Sequence, residues 1–198
     1  LKLVYTKLNP VDSVRVINLL TESMSTNPIN RAVFGSGDGA IRKQLKLFEW
    51  ATAPPHTVVN VAKEGDKIVG VLCYCTSEHC QLAPMDLAKK LPSLMWQMGM
   101  NLGRLLRWRK KWSQHDHKKP HIHLGPVAVD LKHQGKGVGT FMMKEVCQFL
   151  DAHSVVGYLE TDKPENVAFY KRFGFDVEGE EKILGVTNWF MVRPVRTL

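Results

Sequence analysis

The segment Gln134-Gly135-Lys136-Gly137-Val138-Gly139 separates a run of strand character, Leu124 to Val129, from a helical pattern over Val138 to Leu150. A glycine turn that opens a helix commits the chain around it to a strand–turn–helix unit of an α/β fold. Glycines lack Cβ atoms, so the backbone can approach a ligand closely. The unpaired N–H groups of the first helical turn point outward, and the helix dipole adds partial positive charge. The turn therefore reads as a cradle for an anion such as a pyrophosphate.

Spacing decides which anion. A Walker loop needs Gly-x-x-x-x-Gly-Lys followed by Ser or Thr, whereas Lys136 lies between glycines and Val138 follows Gly137. The dinucleotide pattern Gly-x-Gly-x-x-Gly would require glycine at Thr140 or at Met142, and fails as well. Gln134, Gly137 and Gly139 do fill Gln/Arg-x-x-Gly-x-Gly/Ala. Before the loop stands Gly125-Pro126-Val127-Ala128-Val129, and after it Tyr158-Leu159-Glu160-Thr161 and the run Asn166 to Phe175. Over residues 121 to 192 these motifs resemble, in order, the core of the GNAT superfamily of N-acetyltransferases. Glu160 through Phe175 and the closing Asn188 to Arg193 look most like the puromycin N-acetyltransferase subgroup.

The resemblance implies an α/β GNAT fold, with a mixed central sheet of about seven strands, splayed parallel fourth and fifth strands, and flanking helices. It also implies coenzyme A, delivered as acetyl-CoA. The pyrophosphate would lie on Gln134, Gly135, Lys136, Gly137, Val138, Gly139 and Thr140, and the pantetheine arm on Val127, Ala128 and Val129 of the fourth strand. Asn166 is the family's usual further contact to the cofactor arm.

At 198 residues, 44% hydrophobic and 23% charged, the chain is expected to form a single domain over 1–198. No stretch approaches the roughly 18 consecutive apolar residues of a membrane span, and Leu1-Lys2-Leu3-Val4 lacks a signal-peptide layout, so a cytoplasmic protein is expected. Four unevenly spaced cysteines suit reduced thiols better than a secreted disulfide framework. The net charge of +8 is concentrated in Arg104, Arg107, Arg109, Lys110, Lys111, Lys118 and Lys119. With no nucleic-acid motif beside it, this reads as a solvated helix face or a region that steers an anionic ligand; no nucleic-acid or membrane partner is expected.

Along the chain, Leu1 to Leu8 reads as a strand, Pro10 to Met24 as a helix, Asn27 to Gly39 as a link, and Ala40 to Ala53 as a helix ended by Pro54-Pro55. Thr57 to Lys63 and Lys67 to Cys75 form a hairpin across Glu64-Gly65-Asp66. Residues 84–112 read as a helical insertion broken by Pro92, with Met95, Met98, Leu102, Leu105 and Leu106 at helical spacing. That stripe suits the chain's own core, a wall of the acceptor pocket, a homodimer surface or an interfacial membrane helix. His121 to Val129 is a strand; the next helix buries Val138, Phe141, Met142, Val146, Phe149 and Leu150; Val155 to Thr161 is the parallel strand after it. A helix from about Glu165 to Phe173 ends at Gly174, and strands Phe175 to Lys182 and Val186 to Arg193 close the sheet.

The implied chemistry is attack of an amine on a thioester. A free alkyl amine has a pKa near ~10.4, so something must take its proton. Tyr170 occupies the family's Phe-Tyr position and is the candidate general acid for the thiolate, with Phe169 and Phe173 on the core face. For the base, the residue at the position of a fourth-strand glutamate in histone-type relatives is His123, whose imidazole has a pKa near ~6.5. Glu160 on the fifth strand competes as base or as anchor for a cationic acceptor. His115, His117, His121 and His123 crowd together near Cys73 and Cys75, but their spacing matches no closed ligand motif and the family's chemistry needs no metal, so none is expected. The expected activity is acetylation of a primary amine on a small molecule, with a peptide or protein amine, or acyl-CoA binding without catalysis, as alternatives.

Overall fold

A computed structural model of the chain describes residues 2–53, 55–81 and 84–195, the side chains of 84–87 and 90 excepted. Leu1 and Pro54, assigned above to the first strand and to the end of the second helix, lie outside the described residues. The elements run β1 (Leu3–Lys7), α1 (Ser13–Met24), α2 (Pro28–Phe34), α3 (Asp38–Ala51), β2 (Val58–Glu64), β3 (Lys67–Thr76), α4 (Pro84–Met98) and α5 (Leu102–His115). They continue as β4 (His121–Val129), α6 (Val138–Ala152), β5 (Val156–Thr161), α7 (Pro164–Lys171), β6 (Asp176–Ile183) and β7 (Val186–Arg193). The strands form one sheet in the order β1-β2-β3-β4-β5-β7-β6. Only β4 and β5 pair in parallel among the described residues, as a right-handed βαβ crossover requires.

Helix α6 covers one face of the sheet. Its buried Val138, Met142, Met143, Val146 and Leu150 meet Leu72, Ile122, Leu124, Leu159 and Met191. Each such side chain withdrawn from water contributes about 1.5–3 kcal/mol. Gly70 on β3 makes the close approach feasible, because a Cβ there would lie 2.8 Å from the Met142 sulfur and 2.9 Å from Val138. Phe141 and Phe149, expected in the core, sit half-buried at its rim. Phe141 stands edge-on to Tyr5 and Phe149 stacks on Tyr74, while Met143 and Cys147 take the inner positions. On the opposite face, α1 and α3 pack over β2 and β3, and α2 and α5 pack over Tyr158, Ile183 and Phe190.

Three expectations are corrected. The link Asn27 to Gly39 contains α2, which starts on Pro28 and whose Ile29 N–H is accepted by the Asp162 carboxylate at 2.7 Å. Pro92 does not break α4; the chain leaves the helix after Met98, where Gly99 adopts φ +51°. The buried stripe of α4 and α5 keeps the expected Met98 and Leu105 and adds Leu94 and Trp108, while Met95 is 58% exposed. The basic cluster is partly spent within the fold, since Lys111 pairs with Glu181, and Arg104 donates to the Ala32 carbonyl.

Parallel pairing of β4 with β5 covers only His121↔Val156, Ile122↔Gly157 and His123↔Tyr158. Past those residues the two strands part, and the rest of β4 presents an edge to a wedge. At the closed end, the buried Arg193 guanidinium holds Asp151 in two bonds of 2.7 and 2.8 Å and donates to the Phe173 carbonyl.

Candidate active site

The wedge has a polar edge of determinate sense. Asp130 N–H donates to the Val69 carbonyl at 2.9 Å, so by strand alternation Ala128 also faces β3, and Val127 and Val129 turn their backbone groups toward the gap. The Val129 carbonyl already accepts from Ser23 Oγ at 2.9 Å and from Gln134 Nε2 at 3.2 Å. Gln134 thereby braces the turn against the end of β4.

Gly135 and Gly137 both occupy the left-handed region, at φ +74° and +85°, and a Cβ on either would meet nothing within 4 Å. The strain-free turn leaves open space above the start of α6. Gly137 caps that helix without any side-chain bond, so the N–H groups of Val138, Gly139 and Thr140 have no intrahelical acceptor. Gly139 serves packing instead. A Cβ there would touch Phe169 at 3.4 Å and Val129 at 3.7 Å, so the glycine lets α7 settle against the root of α6.

Tyr170 is buried, whereas Phe169 and Phe173 are only half-buried, which reverses the expected faces of this helix. The reason is that Tyr170 lies in the α6 core cluster beside Phe175, with Phe169 and Phe173 packed around it. Burial first, and then the charge of Asp162, push its phenol up to about 12. One turn earlier, the Asn166 amide donates to Thr161 Oγ1 at 3.1 Å, which ties α7 to the end of β5.

His123 and Glu160, competing candidates in the sequence, are brought together. His123 Nε2, from the last β4–β5 register pair, lies 2.8 Å from Glu160 Oε2, two residues beyond its partner Tyr158, and the Glu160 side chain is only 3% exposed. Burial disfavours the imidazolium, but the adjacent Glu160 carboxylate and then Asp116 outweigh it, so the His123 pKa is raised. Glu160 Oε1 is buried without a hydrogen-bond partner among the described residues. The pair shares the α2/α5 face with Tyr158, and Tyr170 sits on the α6/α7 face, so the wedge lies between them.

Of the remaining histidines, His115 pairs with Glu181 at 2.7 Å and His117 with Glu178 at 3.0 Å, while Cys73 is interior to the α1/α3 core. Two residues that sequence reading passed over, Cys80 and Asp116, join His121 and His123 instead. Asp116 sits between His115 and His117, but nothing near Cys80 in sequence marks it, and the fold makes the juxtaposition.

The profile of the acetyltransferase (GNAT) family matches residues 25–175, which holds the loop, both parallel strands, Glu160 and Tyr170. The chain belongs to the GNAT family of acetyltransferases. A histone acetyltransferase HPA2 and related acetyltransferase from Corynebacterium glutamicum superposes with a TM-score of 0.76 at 18% identity, covering 100% of this chain and 99% of that one. The polyamine N-acetyltransferase of Drosophila melanogaster gives 0.68 at 11% identity, over 98% and 100%. PaiA N-acetyltransferase from Thermoplasma acidophilum, solved in complex with coenzyme A, gives 0.59 at 13% identity, over 98% and 99%. At such identities the likeness is one of fold.

GNAT acetyltransferases use acetyl-CoA, and this chain's wedge fits that cofactor. Space above Gly135 and Gly137, uncapped N–H groups at the start of α6 and a free β4 edge are the features an anionic, extended ligand requires. No helix among the described residues is long and apolar enough to cross a membrane.

Proposed function

We propose that this GNAT enzyme transfers an acetyl group from acetyl-CoA to the primary amine of a small molecule, by direct attack of the amine on the thioester. The observation that carries this reading is the buried His123–Glu160 pair at the apex of the wedge, with one Glu160 oxygen still free to accept. A protonated amine is a cation that such an oxygen anchors, and the same oxygen lies in place to receive the proton the amine must lose. The amine acetyltransferases of the same fold, the polyamine enzyme among them, support an amine acceptor. The finer likeness to the puromycin N-acetyltransferase subgroup rests on Glu160 through Phe175 and Asn188 to Arg193.

Acetyl-CoA supplies an activated acyl group on a good leaving thiol. The Gly135–Thr140 turn holds its pyrophosphate, and the Val127 and Val129 edge holds its arm by strand-like hydrogen bonds, one N–H polarising the carbonyl that gathers charge. His123 donates from Nε2 to Glu160 and fixes that carboxylate's orientation. From the other face, Tyr170 gives its proton to the departing sulfur, and Asn166 keeps α7 docked while it does so. The chain acts as one domain and, with its four cysteines in no disulfide, suits a cytoplasmic setting.

The deciding experiment measures thiol release from acetyl-CoA against a panel of small amines, N-terminal peptides and lysine peptides. Steady release with small cationic amines, reduced at least about 100-fold in Glu160→Gln, is expected. Coenzyme binding with no release for any amine would overturn the enzyme reading, and preference for peptides would move the acceptor to a protein amine.

A further inference from the structure

Cys80, which follows β3, Asp116, just past α5, and His121 and His123 on β4 converge behind the catalytic pair, with one ligand-type atom of each within 4.8 Å of the others. Both imidazole tautomers are set from outside the cluster. His121 Nδ1 lies 2.9 Å from the Lys119 carbonyl, which can only accept, so Nδ1 carries the hydrogen and Nε2 presents a lone pair. His123 Nε2 lies 2.8 Å from the Glu160 carboxylate and carries a hydrogen there, so Nδ1 is the nitrogen that offers a lone pair when the ring is neutral. Those two nitrogens face the same oxygen, Asp116 Oδ1, at 3.3 and 4.0 Å. All three atoms are buried without a hydrogen-bond partner among the described residues, and the His121 side chain is 1% exposed.

With both rings neutral, three acceptors point at one another and repel, and each buried unsatisfied group costs about 1–3 kcal/mol. A cation at their centre converts each cost into a bond. We propose that Cys80, Asp116, His121 and His123 bind one divalent ion of the zinc class as a closed, four-ligand structural site. The donor set of one thiolate, two imidazoles and one carboxylate favours zinc over the harder magnesium or calcium. Bonds of about 2.0–2.3 Å in a tetrahedron place ligand atoms roughly 3.3–3.7 Å apart, a spacing His121 and Asp116 already show. Four protein ligands leave no position for substrate, so the ion takes no part in acyl transfer. On binding, Cys80 forms its sulfur–metal bond as a thiolate. The thiol hydrogen, now shared with Asp116 Oδ2 at 2.9 Å and the Ser77 carbonyl at 3.1 Å, leaves to solvent.

The outer partners have the form that orients metal-bound imidazoles, a carbonyl on His121 and a carboxylate on His123. That carboxylate is Glu160, so the ion would fix His123 and through it the proposed acceptor anchor. It would also tie the segment after β3 and the end of α5 to β4. The inference stands apart from acetyl transfer, since its readouts are metal content and spectra.

The test uses protein purified without a polyhistidine tag and dialysed against metal-free buffer. We expect close to one zinc per chain by mass spectrometry of the elements. Cobalt added to the stripped protein should give tetrahedral d–d bands with a thiolate-to-cobalt charge-transfer band. Cys80→Ser should remove the charge-transfer band, His121→Ala should abolish stoichiometric uptake, and the neighbouring Cys75→Ser should change neither. Zinc-free protein that takes up no cobalt at micromolar concentration, with Asp116 instead bonded to a protonated histidine, would overturn the proposal. So would a charge-transfer band that survives Cys80→Ser and vanishes in Cys75→Ser.

Discussion

Tyr170 holds its proton tightly for reasons that reside in two neighbours, the α6 core around it and the carboxylate of Asp162. A phenol pushed up to about 12 from an ordinary 10.0 binds its proton more strongly folded than unfolded. Its contribution to stability is therefore complete below the unfolded value and is lost as pH rises through the folded one. Across neutral to moderately alkaline pH Tyr170 stays a donor. Tyr170→Phe should lower turnover by about 10- to 10⁴-fold with coenzyme affinity nearly unchanged, by the same factor from pH 7 to pH 9. Equal losses in turnover and affinity, read from steady-state kinetics and calorimetric titration, would make it a packing residue. At Gly137 the left-handed backbone penalises most side chains, so the informative substitution is Asn, which tolerates φ > 0. Gly137→Asn should keep the apo melting temperature within a few degrees, while its side chain fills the space above the turn and removes most of the shift acetyl-CoA produces. The glycine loop stood out by its spacing, and Tyr170, His123 and Glu160 became candidates through the resemblance of the surrounding motifs to the GNAT core. Cys80 and Asp116 did neither, since their partner atoms are decided by how β3, α5 and β4 come to rest.

Among the elements, the strands were the most readable. Runs of β-branched residues and the tight Gly65-Asp66 turn fix β2 and β3 to within a residue or two of expectation. Helix α2 escaped because the glycines and asparagines of Asn27 to Gly39 mask a short run whose Ile29, Val33 and Phe34 are buried, and it is also held from outside: Asp162, at the end of β5, accepts the Ile29 N–H. Asp162→Ala should orphan that donor at a cost of about 1–3 kcal/mol and raise hydrogen exchange in α2 well above that in α3. Uniform exchange in both helices would show that α2 is held by its apolar face alone. In α4 and α5 the expected Met98 and Leu105 are buried, but periodicity alone does not choose between neighbouring positions, and packing against Phe34 and Tyr158 selects Leu94 over Met95. At Gly70 the constraint between elements is steric. Gly70→Val should separate α6 from β3 and destabilise the fold by about 1–3 kcal/mol in urea unfolding, since even a Cβ would stand 2.8 Å from Met142 and 2.9 Å from Val138, inside van der Waals contact.

For the molecule as a whole, the order of strands and the seven-stranded mixed sheet follow from the motif order. The joined end of the seam is secured by Arg193, the last residue of the closing Asn188 to Arg193 run. Arg193→Ala, which strips Asp151 of a two-bond partner and leaves the volume empty, should cost about 3–5 kcal/mol by chemical denaturation. A loss under ~1 kcal/mol would mean water replaces the guanidinium without penalty. Saturating acetyl-CoA should raise the melting temperature of the intact protein, as any ligand confined to the folded state does. The short β4–β5 seam gives that rise a particular character. With three register pairs holding β1–β4 to β5–β7 and the Arg193 clasp at one end, the sheet is built like a wishbone, joined at the stem and free at the prongs. An occupant of the fork becomes the missing rung, so the empty protein should loosen prong by prong, with unequal exchange in its two arms, and the filled one should yield as a single piece.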